Sequence, residues 1–67
     1  MNEFYQLLIY FHRGEKITRS FLLRKPSITT DLIDRAIQLN YIVKTTPSKD
    51  GDIRYTITEK GIKKRDN

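Results

Sequence analysis

Three helices followed by a two-stranded hairpin, an α+β arrangement, are what the pattern of these 67 residues predicts. Three observations carry it: two well-separated stretches with helical spacing of apolar residues, an alternating β-rich stretch around a Pro/Gly turn, and stop signals between them. The length admits one small domain over residues 1–67, with a core at about 3–62 and a basic tail at 63–67. A domain this size buries only about 60% of the surface its unfolded chain exposes, so its stability margin is thin. With no cysteine present, disulfide staples and thiolate metal sites are excluded. Stability must come from dense apolar packing or from a partner chain.

The first helix is expected from Glu3 to Arg13, because Phe4, Leu7, Leu8 and Phe11 fall on one helical face and Gly14 marks the stop. A short second helix is expected within Ile17 to Arg24, capped by Thr18 or Ser20, with Ile17, Phe21 and Leu22 as its inward residues. Lys25-Pro26-Ser27 then turns the chain, since proline disfavours helical backbone in the residue before it. The helical period returns from Ile28 to Leu39, with Leu32, Ile33, Ala36, Ile37 and Leu39 as the apolar stripe. Either Ser27 or Thr29 caps this helix, and Asn40 ends it in the left-handed conformation. Tyr41 to Thr46 reads as a strand, Thr46 to Asp52 as a turn, and Ile53 to Thr58 as a second strand with Ile53, Tyr55 and Ile57 on one face.

Two local stretches carry a family resemblance. Ala36-Ile37-Gln38-Leu39-Asn40-Tyr41-Ile42 resembles the L-x-x-x-G-[YL]-I exit from the recognition helix of winged helix-turn-helix proteins. Tyr55-Thr56-Ile57-Thr58-Glu59-Lys60-Gly61 resembles the Y-x-L-T-x-K-G that closes the wing in MarR-like and PadR-like regulators. Together with the element order, they liken residues 3–62 to the minimal DNA-binding core of that superfamily, a small winged helix-turn-helix. In this setting Thr58 caps a final turn from Glu59, and Gly61 lets the chain turn with positive φ. The chain departs from the pattern at Asn40, in the acidic Asp31 and Asp34 on the third helix, and in lacking the long dimerisation helices of those regulators. Asp31 stands four residues before Arg35, the spacing of an intrahelical ion pair.

Thirteen Lys and Arg against eight Asp and Glu leave a net charge of +5 and a pI near 9.8, which favours a polyanionic partner. No apolar run approaches the roughly 20 residues that span a bilayer, and Met1-Asn2-Glu3 has none of the basic character of a secretory signal. A cytoplasmic location and no membrane partner are therefore expected, and the brevity of the chain suggests a phage, plasmid or other mobile element as its source.

The resemblance implies a DNA-binding regulator or accessory protein, with duplex favoured and single strands as the other option. Thr29, Thr30, Arg35 and Gln38 would then face bases or nearby phosphates. Lys25, Lys44, Lys49 and Arg54 would hold the backbone. The alternative is a protein-interaction adaptor docking through an aromatic first helix, with Tyr5, Ile9 and Tyr10 outside the buried stripe and available to a second copy or a larger partner. Catalysis is not expected: His12 is the single histidine, no Gly-rich phosphate loop occurs, and Asp50 and Asp52 flank Gly51 as turn residues. No cofactor or metal is expected either.

Overall fold

In the computed structural model, which describes residues 2–45 and 49–66, four helices and a three-stranded antiparallel sheet form among the described residues. The order is α1 (Tyr5–Leu8), β1 (Ile17–Thr18), α2 (Arg19–Leu23), α3 (Thr30–Gln38), β2 (Ile42–Lys44), β3 (Arg54–Ile57) and α4 (Glu59–Asp66). This corrects the expected three helices and two strands by one element of each kind.

Phe4, Leu7, Leu8 and Phe11 are all buried, as their spacing predicts, but the α-helix itself is one turn long. Beyond Leu8 the backbone tightens into i to i+3 hydrogen bonds, Tyr10 to Leu7 at 3.3 Å and Phe11 to Leu8 at 3.0 Å. The inward stripe thus survives while the helix does not reach Arg13.

Ile17 and Thr18 form the added strand, pairing with Tyr55 and Arg54 of β3. Two residues are too few to show a period, so nothing local announces them. Thr18 does double duty: it is extended (φ −78°, ψ 151°), and its Oγ1 accepts from the Phe21 amide at 3.1 Å as the cap of α2. Leu22 is the residue α2 buries. Phe21, expected inside, is 40% exposed and instead meets Tyr10 edge-on at 6.1 Å.

Thr29 caps α3, its Oγ1 accepting from the Leu32 amide at 3.1 Å, and Asp31 lies in the first turn. Leu32, Ile33 and Ala36 are buried, Ile37 is half-buried, and Leu39 at the end of the stripe is exposed. The helix ends as expected on Asn40 with φ +66°. The Asn40 amide donates to the Ile37 carbonyl at 3.0 Å and the Tyr41 amide to Ala36 at 2.9 Å, the paired bonds of a Schellman close.

β3 is the central strand, between β1 and β2. Ile42 stands opposite Ile57 and Lys44 opposite Tyr55. Tyr55 is fully buried, and its hydroxyl accepts from Arg19 Nη1 at 2.9 Å, so its polar end is satisfied inside the core. Ile53, expected on the same face, precedes β3 and is exposed, its carbonyl accepting from the Arg19 amide at 2.8 Å. Of the turn expected at Thr46 to Asp52, residues 46–48 lie outside the described residues.

α4 replaces the expected basic tail with a two-turn helix through Asp66. Thr58 Oγ1 accepts from the Gly61 amide at 3.0 Å and so caps it. Gly61 has a different role from the one expected, because it is helical and needed for contact. A Cβ there would lie 2.1 Å from the Tyr41 carbonyl oxygen and 2.8 Å from Ile57 Cγ1. Backbone cannot retreat as a flexible side chain can. Gly61→Ala is therefore expected to destabilise by about 1–3 kcal/mol, against the helix preference for alanine, which alone would favour the variant. Urea unfolding followed by circular dichroism measures the sign.

Candidate functional site

The charged surface is divided by residue type. Among the described residues every ion pair uses an arginine: Arg13 with Glu59, Arg35 with Glu3 and Asp31, Arg54 with Asp50, and Arg65 with Asp66. The lysines enter none of these pairs. The planar guanidinium fork suits carboxylate pairing, whereas an ammonium on a flexible stem remains a mobile point charge.

On α3 the exposed residues are Thr30, Asp31, Asp34 and Gln38. Arg35 leans toward α1. Its Nη1 lies 2.6 Å from Glu3 Oε1, its Nε lies 3.0 Å from Asp31 Oδ2, and its guanidinium is 5.7 Å from the Phe4 ring centroid. The expected Asp31–Arg35 pair therefore forms, and Glu3 adds a second carboxylate. The hydrogen bond to Glu3 is the main cause that raises the Arg35 pKa, with the Asp31 charge adding to it. Thr29 spends its hydroxyl on the helix cap, while Thr30 and Gln38 stand exposed at the two ends of α3.

The hairpin carries Lys44 at the end of β2, Lys49 in the turn and Arg54 at the start of β3. Arg54 is held by both oxygens of Asp50 at 3.3 Å, and the Asp52 amide donates to Asp50 Oδ1 at 3.0 Å. Ser20 Oγ donates to Asp52 Oδ1 at 3.3 Å, tying the start of α2 to the hairpin. Lys25 sits away from the hairpin contacts, with its Nζ 4.5 Å above the Phe21 ring and 5.5 Å from Tyr10. The expected backbone-binding residues thus fall into a hairpin group and a lone Lys25 on the α1–α2 side.

Of the expected interface residues, Tyr10 is half-buried against Phe21, while Tyr5 and Ile9 are 46% and 41% exposed. Tyr5 and Ile9 border an open depression, shared with His12, Arg65 and Asp66, whose volume is about 710 Å³.

Lys63 and Lys64, expected in the basic tail, lie on α4 together with Lys60 of the wing-closing motif. Lys60 Nζ and Lys64 Nζ lie 5.5 and 6.0 Å from the centroid of the same Tyr41 ring. The helix sets them one turn apart, at i and i+4. Among the described residues no group of three or more His, Asp or Glu side chains is placed to hold a metal ion, and no helix is long and apolar enough to cross a membrane.

No protein-family model matches the chain, and no curated protein is significantly similar to it.

The Arg13–Glu59 pair clasps the turn after α1 to the start of α4. The hydrogen bond from Arg13, then its charge, lowers the Glu59 pKa. A carboxyl whose folded pKa lies below its unfolded one stabilises the fold above the unfolded pKa of about 4.3 and loses that contribution as pH falls through the folded value. Thermal melts of the wild type and Glu59→Gln are therefore expected to differ at neutral pH and to converge as the solution is acidified below the ordinary glutamate range.

Proposed function

We propose that the chain is a winged helix-turn-helix domain that binds nucleic acid, with duplex DNA as the partner, acting inside the cell as a small transcriptional regulator or accessory protein. The observation that carries this reading is the partition of charge among the described residues: four of the six arginines engaged in internal ion pairs, no lysine in any of those pairs, and a net charge of +5. Polyanion binding draws on unneutralised cations, each phosphate contact releasing counterions. The order α1, β1, α2, α3, β2, β3 supports the fold reading, since a short strand between the first two helices joins the edge of the hairpin.

In this reading α3 approaches the major groove and the hairpin meets the backbone. Thr30 and Gln38 are the α3 side chains open to bases, with Thr29 at the cap and Arg35 reaching bases only by exchanging its carboxylates. Lys44, Lys49 and Arg54 hold phosphates from the hairpin, and Lys25 does so from the end of α2. An anisotropy titration with a random-sequence duplex at low salt is expected to show binding at micromolar protein that weakens steeply as salt rises. Absence of binding sinks the reading. Gln38→Ala and Arg35→Ala are expected to alter sequence preference by about 1–3 kcal/mol, whereas Lys49→Ala lowers affinity alike on all sequences.

A second reading, an adaptor that docks through the first helix, is favoured by the exposure of Tyr5 and Ile9 beside an open depression. It expects Tyr5→Lys and Ile9→Lys to abolish self-association or partner capture while leaving DNA affinity intact. Sedimentation at high micromolar concentration reads the homodimer case directly.

A further inference from the structure

We propose that three lysines of α4, the exposed Lys60 and Lys63 and the half-buried Lys64, form a second nucleic-acid contact, separate from α3 and the hairpin. The inference rests on the functional reading above and names a surface that it does not use.

α4 carries one cation against its own dipole, although Glu59 in the first turn and Lys63, Lys64 and Arg65 in the last follow it. Lys60 lies in the first turn, where the helix dipole disfavours a cation, and it stands four residues from Lys64, a like-charge spacing that destabilises an isolated helix. Neither cost is offset by a carboxylate. Glu59 is engaged by Arg13 and Asp66 by Arg65, so the two acids of α4 are already used. What holds the two ammoniums in place is the Tyr41 ring, at 5.5 and 6.0 Å. An aromatic face fixes the position of a cation without cancelling its charge. Lys63 adds a third ammonium on the exposed side of the helix.

α3 presents the opposite balance. Glu3 and Asp31 hold the single guanidinium of Arg35, and Asp34 is exposed on the same helix, leaving a surplus of negative charge on the surface that would enter the groove. That surface can discriminate bases through Gln38 and Thr30, but it repels phosphates. The attraction must come from elsewhere. The hairpin lysines supply part of it. α4, which follows the Ile57 end of β3 while the hairpin turn precedes the Arg54 end, supplies the rest. A four-residue strand spans roughly 13 Å, beyond the Debye length of about 8–10 Å at moderate salt. The two cationic regions therefore act as separate contacts.

An anionic membrane is the other polyanion such lysines could meet. The exposed residues of α4 are Glu59, Lys60, Lys63 and Asp66, and its one large apolar residue, Ile62, packs against the core. An interfacial helix needs an apolar face to insert, and α4 has none to offer. Nucleic acid fits better.

The test is a salt titration of duplex binding by the full chain, comparing the wild type with a variant carrying Lys60→Gln, Lys63→Gln and Lys64→Gln together. Circular dichroism first checks that the variant folds. The variant is expected to bind about tenfold or more weakly at low salt, with a salt slope shallower by about 2–3, since each phosphate contact contributes about 0.9. Arginine at the same three positions is expected to restore the slope. A folded glutamine variant with unchanged affinity and slope overturns the proposal. Should that variant fail to fold, the wild type decides: duplex must protect Lys60, Lys63 and Lys64 from acetylation read by mass spectrometry, and equal labelling with and without duplex overturns it. Tighter binding of the wild type to phosphatidylserine vesicles than to duplex, lost in the glutamine variant, overturns the assignment to nucleic acid. If the wild type binds no duplex at all, the functional reading falls together with this one, whereas failure of the α4 variant alone leaves that reading standing.

Discussion

The carbonyl of Tyr41 is the point on which the fold turns. It accepts from the Thr58 amide at 3.0 Å and from Thr58 Oγ1 at 3.1 Å, and α4 packs so closely over it that residue 61 must be glycine. The amide of the same residue closes α3 through Ala36, and its ring meets Phe4 edge-on with centroids 5.1 Å apart. One residue thus joins α1, α3, the hairpin and α4. It is aimed there by Asn40, whose left-handed backbone reverses the chain within a single step. A small core has little redundancy, so the geometry of this junction governs how every other element is presented.

The division of labour between arginine and lysine follows from the same economy. The five ion pairs among the described residues, three of them linking groups only one or four residues apart, add little stability each, because surface pairs in water are weak. Their larger effect is on the pattern of charge. Together they engage four guanidiniums and five carboxylates, and the lysines dominate the positive charge that is left. The two pairs that span the sequence, Arg13–Glu59 and Arg35–Glu3, also brace α1, which at one turn cannot stand by itself.

What could be read without coordinates was whatever repeats or whatever has local chemistry. The 3.6-residue period located the buried faces of α1 and α3, Thr29 and Asn40 announced the ends of α3, and alternation placed Tyr55 and Ile57 inside. What escaped has no period. β1 is two residues long and exists because β3 offers an edge to pair with. α4 is mostly charged, with only Ile62 to mark a face, and it is helical because Tyr41 and Thr58 give it a seat. The candidate site divided in the same way. Gln38 and Lys49 stand exposed where a linear reading puts them, while the second carboxylate on Arg35 comes from Glu3, thirty-two positions away. The shared ring beneath Lys60 and Lys64 is likewise a tertiary fact.

Asn2 Nδ2 donates to the Lys64 carbonyl at 3.1 Å across sixty-two positions of sequence, and Arg65 Nη1 donates to the Phe11 carbonyl at 2.6 Å. The two ends of the described chain therefore lie side by side, and each helps to anchor the other. Closing so long a loop costs entropy that no local contact repays, so α1 and α4 form one cooperative unit despite standing at opposite ends of the sequence. Fraying at either terminus loosens both. A covalent ring closed across residues 2 and 64 would lower the entropy of the unfolded chain and fasten that unit.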